Sequence, residues 1–220
     1  MFLNSYVISQ TNDFGIWTSV GAEKQLGKWY LGANTELRTF NNTSEVQRWS
    51  IQFDAEYKVI KSVNTGVSYK YMYFNDLKYT DYQPRIRYTF FIEAKYKVGD
   101  FKIFLREKLQ RTIKDESDRL KENGKYDNYK INPEWTWRNR LKVNYNIPHF
   151  LGTPSFSIEP FFQLNNPEGN SFNNIRYTLS FDFKLSKQHE FKAYGLIDNE
   201  MNVDSPVRTF VLGFGYTFSF

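Results

Sequence analysis

Polar and apolar residues alternate along most of this chain. In RWSIQFDAEYK, residues 48–58, every second side chain from Arg48 to Lys58 is polar, and those from Trp49 to Tyr57 between them are apolar. Successive side chains of a β-strand point to opposite faces, so this stretch predicts a strand with one charged face and one apolar face. A half-buried strand of a soluble protein has the same pattern, so other features of the chain must distinguish the two.

The alternation recurs from one end of the chain to the other and predicts eleven strands. Their predicted bounds are 14–24, 29–40, 46–58, 63–75, 83–97, 101–113, 135–147, 155–165, 174–185, 189–198 and 207–220. Most reach the ~9–11 residues that a tilted strand needs to cross a bilayer, whereas strands of globular proteins are mostly ~5–6 residues long. No run approaches the ~20 apolar residues of a membrane-spanning helix. Strand length therefore favours a membrane-spanning barrel.

The predicted connections alternate in length. Short ones fall at 25–28, 59–62, 98–100, 147–154 and 185–188. Longer, polar ones fall at 41–45, 76–82, 114–134, 166–173 and 199–206. Short periplasmic turns that alternate with longer outer loops are typical of bacterial outer-membrane barrels. The longest connection, 114–134, has no apolar stripe and is predicted to be solvated or partly mobile.

The number of strands raises a problem of direction. Ten strands from Trp29 onward close a barrel with both ends on one side, which leaves the segment 14–24 unexplained. That segment requires a twelfth strand near Ser5–Thr11, a parallel closing strand, or insertion into the lumen. The sequence leaves these three alternatives open. It predicts an all-β fold, a transmembrane antiparallel up-and-down β-barrel of 10–12 strands.

Composition supports a membrane barrel and limits other classes. Aromatic residues make up 19% of the chain although charged residues still make up 24%, a mixture that suits a wall with an apolar outside and a polar inside. The absence of cysteine excludes disulfides and thiolate metal sites. A net charge of +5 with interspersed acids does not indicate nucleic acid as a partner. Residues 1–10 are predicted to be the remnant of an export signal or an N-terminal arm, and residues 11–220 a single outer-membrane barrel domain.

The two faces of the predicted strands are assigned by their aromatic content. A soluble barrel with an apolar interior would also alternate, but so many rings would be hard to pack at native density in a narrow core. Lipid accepts them, and rings near strand ends match the belts at membrane interfaces. The charges are therefore predicted to face the lumen, with cations outnumbering acids. The candidate lumen charges are Arg48, Asp54, Glu56, Arg85, Arg87, Glu93, Arg106, Arg138, Arg140, Glu159, Arg176 and Asp182.

The segment RTFVLGFGYTFSF alternates most regularly. Its aromatic parity includes Phe214, Tyr216, Phe218 and Phe220, where the printed chain stops. This pattern resembles the C-terminal signal by which the barrel-assembly machinery recognises outer-membrane proteins. The assembly machinery is therefore an expected partner during insertion, and the predicted barrel adds outer-membrane lipid and an envelope protein as expected partners.

Several stretches carry a family resemblance over nearly the whole chain. They are FGIWTSVGAEKQL, RWSIQFDAEYKV, GVSYKYMY, FKIFLREKLQRT, RNRLKVNYNIP and VLGFGYTFSF. They resemble the short barrels of Bacteroidota known as domain-of-unknown-function family 2490. The resemblance implies an outer-membrane β-barrel of a Gram-negative cell, and it implies no activity or catalytic residues.

Candidate enzyme chemistry is sparse. The lipid hydrolases of outer membranes use a Ser–His pair at the outer rim, but both histidines, His149 and His189, fall in predicted short turns. Paired protease carboxylates are conceivable among Asp54, Glu56, Glu93 and Glu159, yet their basic neighbours favour internal ion pairs. No metal-ligand cluster, P-loop or dinucleotide fingerprint occurs. The sequence therefore predicts no enzyme and no cofactor.

The lumen itself is the remaining candidate site. Its charges either cross-link the interior of a small barrel or form a basic path for anions. The first interpretation is favoured and predicts a structural or accessory barrel, part of an envelope complex, with an ion-paired lumen. The alternative is a narrow, porin-like channel or a binding site for small anionic solutes, and an outer-membrane hydrolase ranks third.

Overall fold

The computed structural model describes residues 11–76, 78, 81–117, 119–120, 124–125, 127–203 and 205–220. Each of the eleven predicted strands is present, and each bound lies within three residues of its prediction. The strands are β1 (Thr11–Leu26), β2 (Trp29–Phe40), β3 (Glu45–Ile60), β4 (Val63–Asp76), β5 (Asp81–Val98), β6 (Phe101–Lys114), β7 (Glu134–Tyr145), β8 (Gly152–Gln163), β9 (Ser171–Lys184), β10 (His189–Glu200) and β11 (Val207–Ser219).

The strands form one closed barrel. Consecutive strands pair antiparallel, and β1 closes the ring by pairing parallel with β11, from Thr11 opposite Val207 to Glu23 opposite Ser219. An odd number of strands forces one parallel pair, because direction alternates around an antiparallel ring. The predicted antiparallel barrel of 10–12 strands is confirmed, and its closure follows the parallel-strand alternative. Residues 5–10 of the proposed twelfth strand lie outside the described residues.

The two ends of the barrel differ in the length of their connections. One end, here called the turn end, carries the connections at 27–28, 61–62, 99–100, 146–151 and 185–188. The other, the loop end, carries those at 41–44, 77–80, 115–133, 164–170 and 201–206. At the turn end, Gly27 has a φ of +61°, as tight two-residue hairpins require. The predicted alternation of short and long connections is thereby confirmed.

The outer surface is largely apolar and carries aromatic residues near both ends of the strands. Aliphatic and Phe side chains such as Phe53 and Leu105 are exposed between these ends. Near the turn end lie Trp29, Tyr57, Phe101, Tyr145 and Phe191, here called the turn-end belt. Near the loop end lie Trp49, Tyr73, Tyr82, Trp137 and Phe162, here called the loop-end belt. Neighbouring rings are close, with centroids 4.9 Å apart for Trp29 and Tyr57 and 5.9 Å apart for Trp49 and Tyr73.

A small apolar cluster lies inside the barrel beside the parallel seam. Trp17, Leu196 and Val211 are buried there and Tyr194 packs against them. The Tyr194 ring lies across Gly213, where a Cβ atom would be 2.0 Å from the ring carbon Cζ. Only glycine allows this close approach.

Within the described residues, no helix is long and apolar enough to span a membrane.

Candidate functional site in the barrel interior

The alternation of exposure along each strand identifies the inner face. In β7, Trp137 and Leu141 are exposed, whereas Arg138 is only 8% exposed. The ladder registers carry this parity around the ring. Inner positions are occupied by all twelve charged residues that the sequence places in the lumen: Arg48, Asp54, Glu56, Arg85, Arg87, Glu93, Arg106, Arg138, Arg140, Glu159, Arg176 and Asp182.

The first interior cluster gathers three cations around Glu36 of β2. The Glu36 carboxylate lies 2.8 Å from Nη2 of Arg38, 3.4 Å from Nη2 of Arg48 and 3.5 Å from Nζ of Lys70. Arg48 also directs Nη1 toward the sulfur of Met72 at 3.5 Å, and both side chains are buried. One carboxylate thus balances three cations from β2, β3 and β4, which leaves this side of the interior positively charged.

The second cluster contains two ion pairs that flank an aromatic ring. Nη2 of Arg138 donates to Oε2 of Glu159 at 2.6 Å, and Arg176 pairs with Asp198. The Phe161 ring lies 4.0 Å from Cζ of Arg138 and 5.1 Å from Cζ of Arg176. A guanidinium over an aromatic face is attracted by the ring quadrupole. Phe161 therefore holds the two arginines in place.

Trp17 connects the two clusters. Cζ of Arg38 lies 3.4 Å from the centroid of the Trp17 ring, and Cζ of Arg176 lies 5.2 Å from it. Trp17 itself is 6% exposed. The two clusters and Trp17 form a contact network through the middle of the barrel, here called the central network.

Two further groups lie nearer the turn end. Glu93 accepts from Nε of Arg106 at 2.6 Å and from Nη2 of Arg140 at 3.3 Å. Asp182 lies 3.5 Å from Nζ of Lys142 and 3.4 Å from Nζ of Lys192. Each of these carboxylates is shared by two cations, so the positive excess extends toward the turn end.

Asp54 and Glu56 have amide partners instead of cations. Nε2 of Gln52 donates to both Asp54 oxygens, at 2.7 and 2.9 Å, and Nδ2 of Asn64 donates to Glu56 at 2.7 Å. Among the described residues, no cation lies within 4.0 Å of either carboxylate. The ion pairing that the sequence favours for the four candidate protease carboxylates is therefore seen for Glu93 and Glu159, and not for Asp54 and Glu56.

The described part of the longest connection packs onto the loop end of the barrel. Arg119 is 5% exposed and pairs with Asp76, the last residue of β4. The Tyr129 hydroxyl donates to Oδ2 of Asp76 at 2.8 Å, and its ring lies 3.9 Å from Cζ of Arg119. Burial and this hydrogen bond raise the pKa of Tyr129 above its ordinary value. The sequence predicts a solvated or partly mobile loop because the connection has no apolar stripe. In the structure, a buried arginine and a tyrosine anchor it to the barrel through polar contacts instead.

Both histidines lie at the turn end. Nδ1 of His189 is 2.6 Å from the hydroxyl of Tyr216, and His149 lies in the connection 146–151. A cavity of about 770 Å³ is found at this end. Its lining includes Glu23, Tyr30, Lys184, His189, Glu190 and Phe220.

Sequence reasoning missed four features of the walls. Asp198 lies on the inner parity of β10, so the alternation could have identified it as the partner of Arg176. Trp17 and Phe161 point inward although most rings point outward. Glu107 lies on the outer parity of β6 and accepts from Nε1 of Trp137 at 2.8 Å. No pattern in the sequence marks these last three.

In the part of the chain that the structure describes, no group of three histidines or carboxylates is placed to hold a metal ion.

Comparison with known proteins gives a family. No curated protein matches the chain. Residues 14–206, which include β2 to β10 and most of β1, match the family described as "protein of unknown function (DUF2490)". The chain therefore belongs to this family, and its own fold is a closed β-barrel.

Proposed function

We propose that this protein is an integral outer-membrane β-barrel of structural or accessory type in a Gram-negative bacterium of the Bacteroidota, with an interior closed by ion pairs. One observation carries the proposal of a closed interior. The middle of the barrel is filled by the central network, in which Arg48 is 7% and Glu159 5% exposed. Small barrels have interiors nearly filled by side chains, and these ion pairs join strands that are adjacent or two apart in the ring.

The outer surface supports insertion in a membrane. From Trp49 in the loop-end belt to Tyr57 in the turn-end belt, β3 covers roughly 26 Å along the strand at ~3.3 Å per residue, which at the usual tilt of about 35–45° is roughly 19–22 Å along the barrel axis. Tilted strands and an apolar band ~25 Å tall, flanked by aromatic girdles, are typical of outer-membrane barrels. Trp and Tyr favour the headgroup level because their rings are amphipathic. The two belts fit the two interfaces of one bilayer.

The last strand supports assembly by the barrel machinery. The rings of Phe214, Tyr216 and Phe218 lie on the outer parity of β11, opposite the inward glycines of that strand. Together with Phe220 they form an aromatic face that the barrel-assembly machinery would recognise during insertion. The partners of the mature protein are outer-membrane lipid and an envelope protein at its ends, and nucleic acid is not among them. We propose no enzymatic role.

A second candidate is a narrow channel or a binding site for small anionic solutes. The excess of cations favours it, since Glu36 balances three cations and Glu93 and Asp182 two each. Rings of Arg and Lys serve such purposes in anion-selective pores. The channel ranks second because the central network is buried, whereas a binding site does not require an open path.

Depth-dependent tryptophan quenching tests the membrane placement. Variants that retain only Trp29, only Trp49 or only Trp17 are refolded into vesicles that contain brominated lipid. We expect strong quenching for Trp29 and Trp49, which face outward, and little for Trp17, which lies inside the barrel. Equal quenching of all three would contradict the assignment of the faces. Recovery of the native protein with the inner membrane or the soluble fraction would contradict the proposed location.

A further inference from the structure

A second interior cavity opens at the loop end, above the central network. It has a volume of about 340 Å³. Its walls come from β5 to β10 and from Val203 and Ser205, and their polar lining includes Arg87, Gln110, Glu134, Asn173, Asn174 and Glu200. This size is at the lower end of the range for small-molecule sites. Phe161, held between Arg138 and Arg176, also lines the cavity.

Arg87 is the arginine that lines this cavity, and Glu134 of the same cavity attracts it without forming an ion pair within 4.0 Å. Its Nε donates to Oγ1 of Thr112 at 2.9 Å. Among the described residues, its two terminal amino groups have no hydrogen-bond acceptor, and no carboxylate lies within 4.0 Å of them. By contrast, Arg138 beneath it is paired with Glu159 and Gln110. A guanidinium presents two parallel donors that match a carboxylate, so Arg87 is available to an anionic group from outside.

Two amide oxygens of the same cavity lack donors. The register between β8 and β9 shifts between Phe161 and Phe162, which pair with Asn174 and Phe172, so that Asn173 is the extra residue of a β-bulge. A bulge redirects side chains, and here both Asn173 and Asn174 line the cavity. Their Oδ1 atoms are buried without a partner in the described structure. Buried acceptors without donors are costly, so these oxygens favour a ligand with hydroxyl or ammonium hydrogens.

The two carboxylates of the cavity limit the charge of a ligand. Glu134 lies 2.9 Å from Nζ of Lys114, and Glu200 accepts from the backbone N–H of Val207 at 3.1 Å. Both carboxyl groups border the space that a ligand would occupy. They would repel a dianion such as a phosphate monoester more strongly than a single carboxylate.

We propose that the loop-end cavity binds a small monocarboxylate that also carries hydroxyl or ammonium donors. Arg87 binds the carboxylate, and the amide oxygens of Asn173 and Asn174 accept from the donors. This cavity is the binding site of the second candidate function, and a small monocarboxylate is its ligand class. The inference rests on the proposed outer-membrane barrel in one respect, that the loop end faces the external medium. It does not require an open path, since the central network lies beneath the cavity.

Calorimetric titration of the full chain, refolded in detergent, tests the proposal. The probes are D-glucuronate, which carries hydroxyl donors, L-serine, which carries an ammonium group, and acetate, which carries a carboxylate alone. We expect saturable binding of glucuronate or serine at one site per chain, with acetate at least tenfold weaker because it cannot pair with the amide oxygens. The probe that binds more tightly shows whether hydroxyl groups or an ammonium group supply the hydrogen-bond donors. No heat from either probe with a folded barrel would overturn the proposal.

Variants identify the residues. Arg87→Gln should weaken binding of the better probe at least tenfold, and Arg111→Gln, a change on the outer parity of the neighbouring β6, should leave it unchanged. Asn174→Asp keeps the side-chain size, adds a like charge and should also weaken binding, so it serves if Arg87→Gln does not fold. Undiminished binding in the folded Arg87→Gln or Asn174→Asp variant would contradict the assignment.

The binding result is independent of the closed-barrel proposal. A barrel that conducts ions and also binds the probe would contradict the closed interior and support the cavity site. A closed barrel that binds neither probe would support the closed interior and contradict the cavity site.

Discussion

Arg138 and Glu159 form a buried ion pair across adjacent strands, with Nη2 and Oε2 2.6 Å apart and both side chains largely shielded from water. Breaking such a pair from one side leaves a charge without its partner in a medium of low dielectric. The surroundings of this pair are not symmetric. The Glu159 carboxylate attracts three cations, Arg138, Lys108 and Arg140, and the cations around this pair outnumber the carboxylates.

We therefore predict unequal losses from the two halves of the pair. Glu159→Gln should lower the free energy of unfolding by about 3–5 kcal/mol, and Arg138→Gln should lower it less, because removing a cation relieves repulsion among those that remain. Urea unfolding from lipid vesicles measures both. Glu168→Gln is the matched control, since Glu168 pairs with Lys130 on the surface and its loss should cost less than about 1 kcal/mol. A larger loss for Arg138→Gln than for Glu159→Gln would contradict the positive excess.

The contact of Tyr194 with Gly213 gives a second prediction. Gly213→Ala places a methyl group into the ring of Tyr194 and should destabilise the barrel by about 1–3 kcal/mol, as overpacking does. Gly195→Ala is the control, because a Cβ there meets nothing closer than 4.0 Å. The same unfolding assay compares the two variants. Equal stability of both would mean that Tyr194 does not lie across Gly213.

Position along the barrel axis gives a third prediction. Leu105 pairs with Leu141 and lies midway between the two belts, whereas Leu185 lies in a connection at the turn end. Leu105→Arg should cost about 2–4 kcal/mol in a bilayer, and Leu185→Arg only about 0–1. Folding equilibria in vesicles give both values. Similar costs at the two positions would argue against a membrane around the middle of the barrel.

The rim contact of Tyr129 gives a prediction about pH. The pKa of Tyr129 is raised above the ordinary value of about 10 by burial and by its hydrogen bond to Asp76. A raised folded pKa means that this contact stabilises the fold below the unfolded pKa and is lost as the pH rises through the folded one. Asp76→Asn should lower the pKa of Tyr129. NMR titration of ring-labelled tyrosine measures it, with Tyr129→Phe identifying the signal. An ordinary pKa in the native protein would show that the loop is not packed on the rim.

Much of the fold could be predicted from the sequence, because a period of two acts locally. Residues 48–58 reveal both faces of β3 without reference to any other strand. The closure of the ring could not be predicted this way, since β1 has the same pattern whether its partner is parallel, antiparallel or absent. Only the register between Thr11 and Val207 decides it.

The interior was predictable in its charges and not in its pairings. Parity places Arg138 and Glu159 inside, but whether an inward carboxylate meets a cation depends on the neighbouring strands, as the amide partner of Asp54 shows. The inward direction of Trp17 depends on Arg38 across the strand pair. The β-bulge that turns Asn173 into the cavity likewise follows from the pairing of β8 with β9.

Conductance across a planar bilayer tests the closed, membrane-spanning barrel most directly. Its positive control is a variant in which Arg138, Glu159, Arg176 and Asp198 are all replaced by Ala, which removes both ion pairs of the second cluster. We predict a silent native protein and a variant that conducts in steps, which shows that the barrel is inserted. Steady, anion-selective steps from the native protein, with a preference that inverts in the Arg138→Glu, Arg140→Glu double variant, would show instead that the basic interior is an open path.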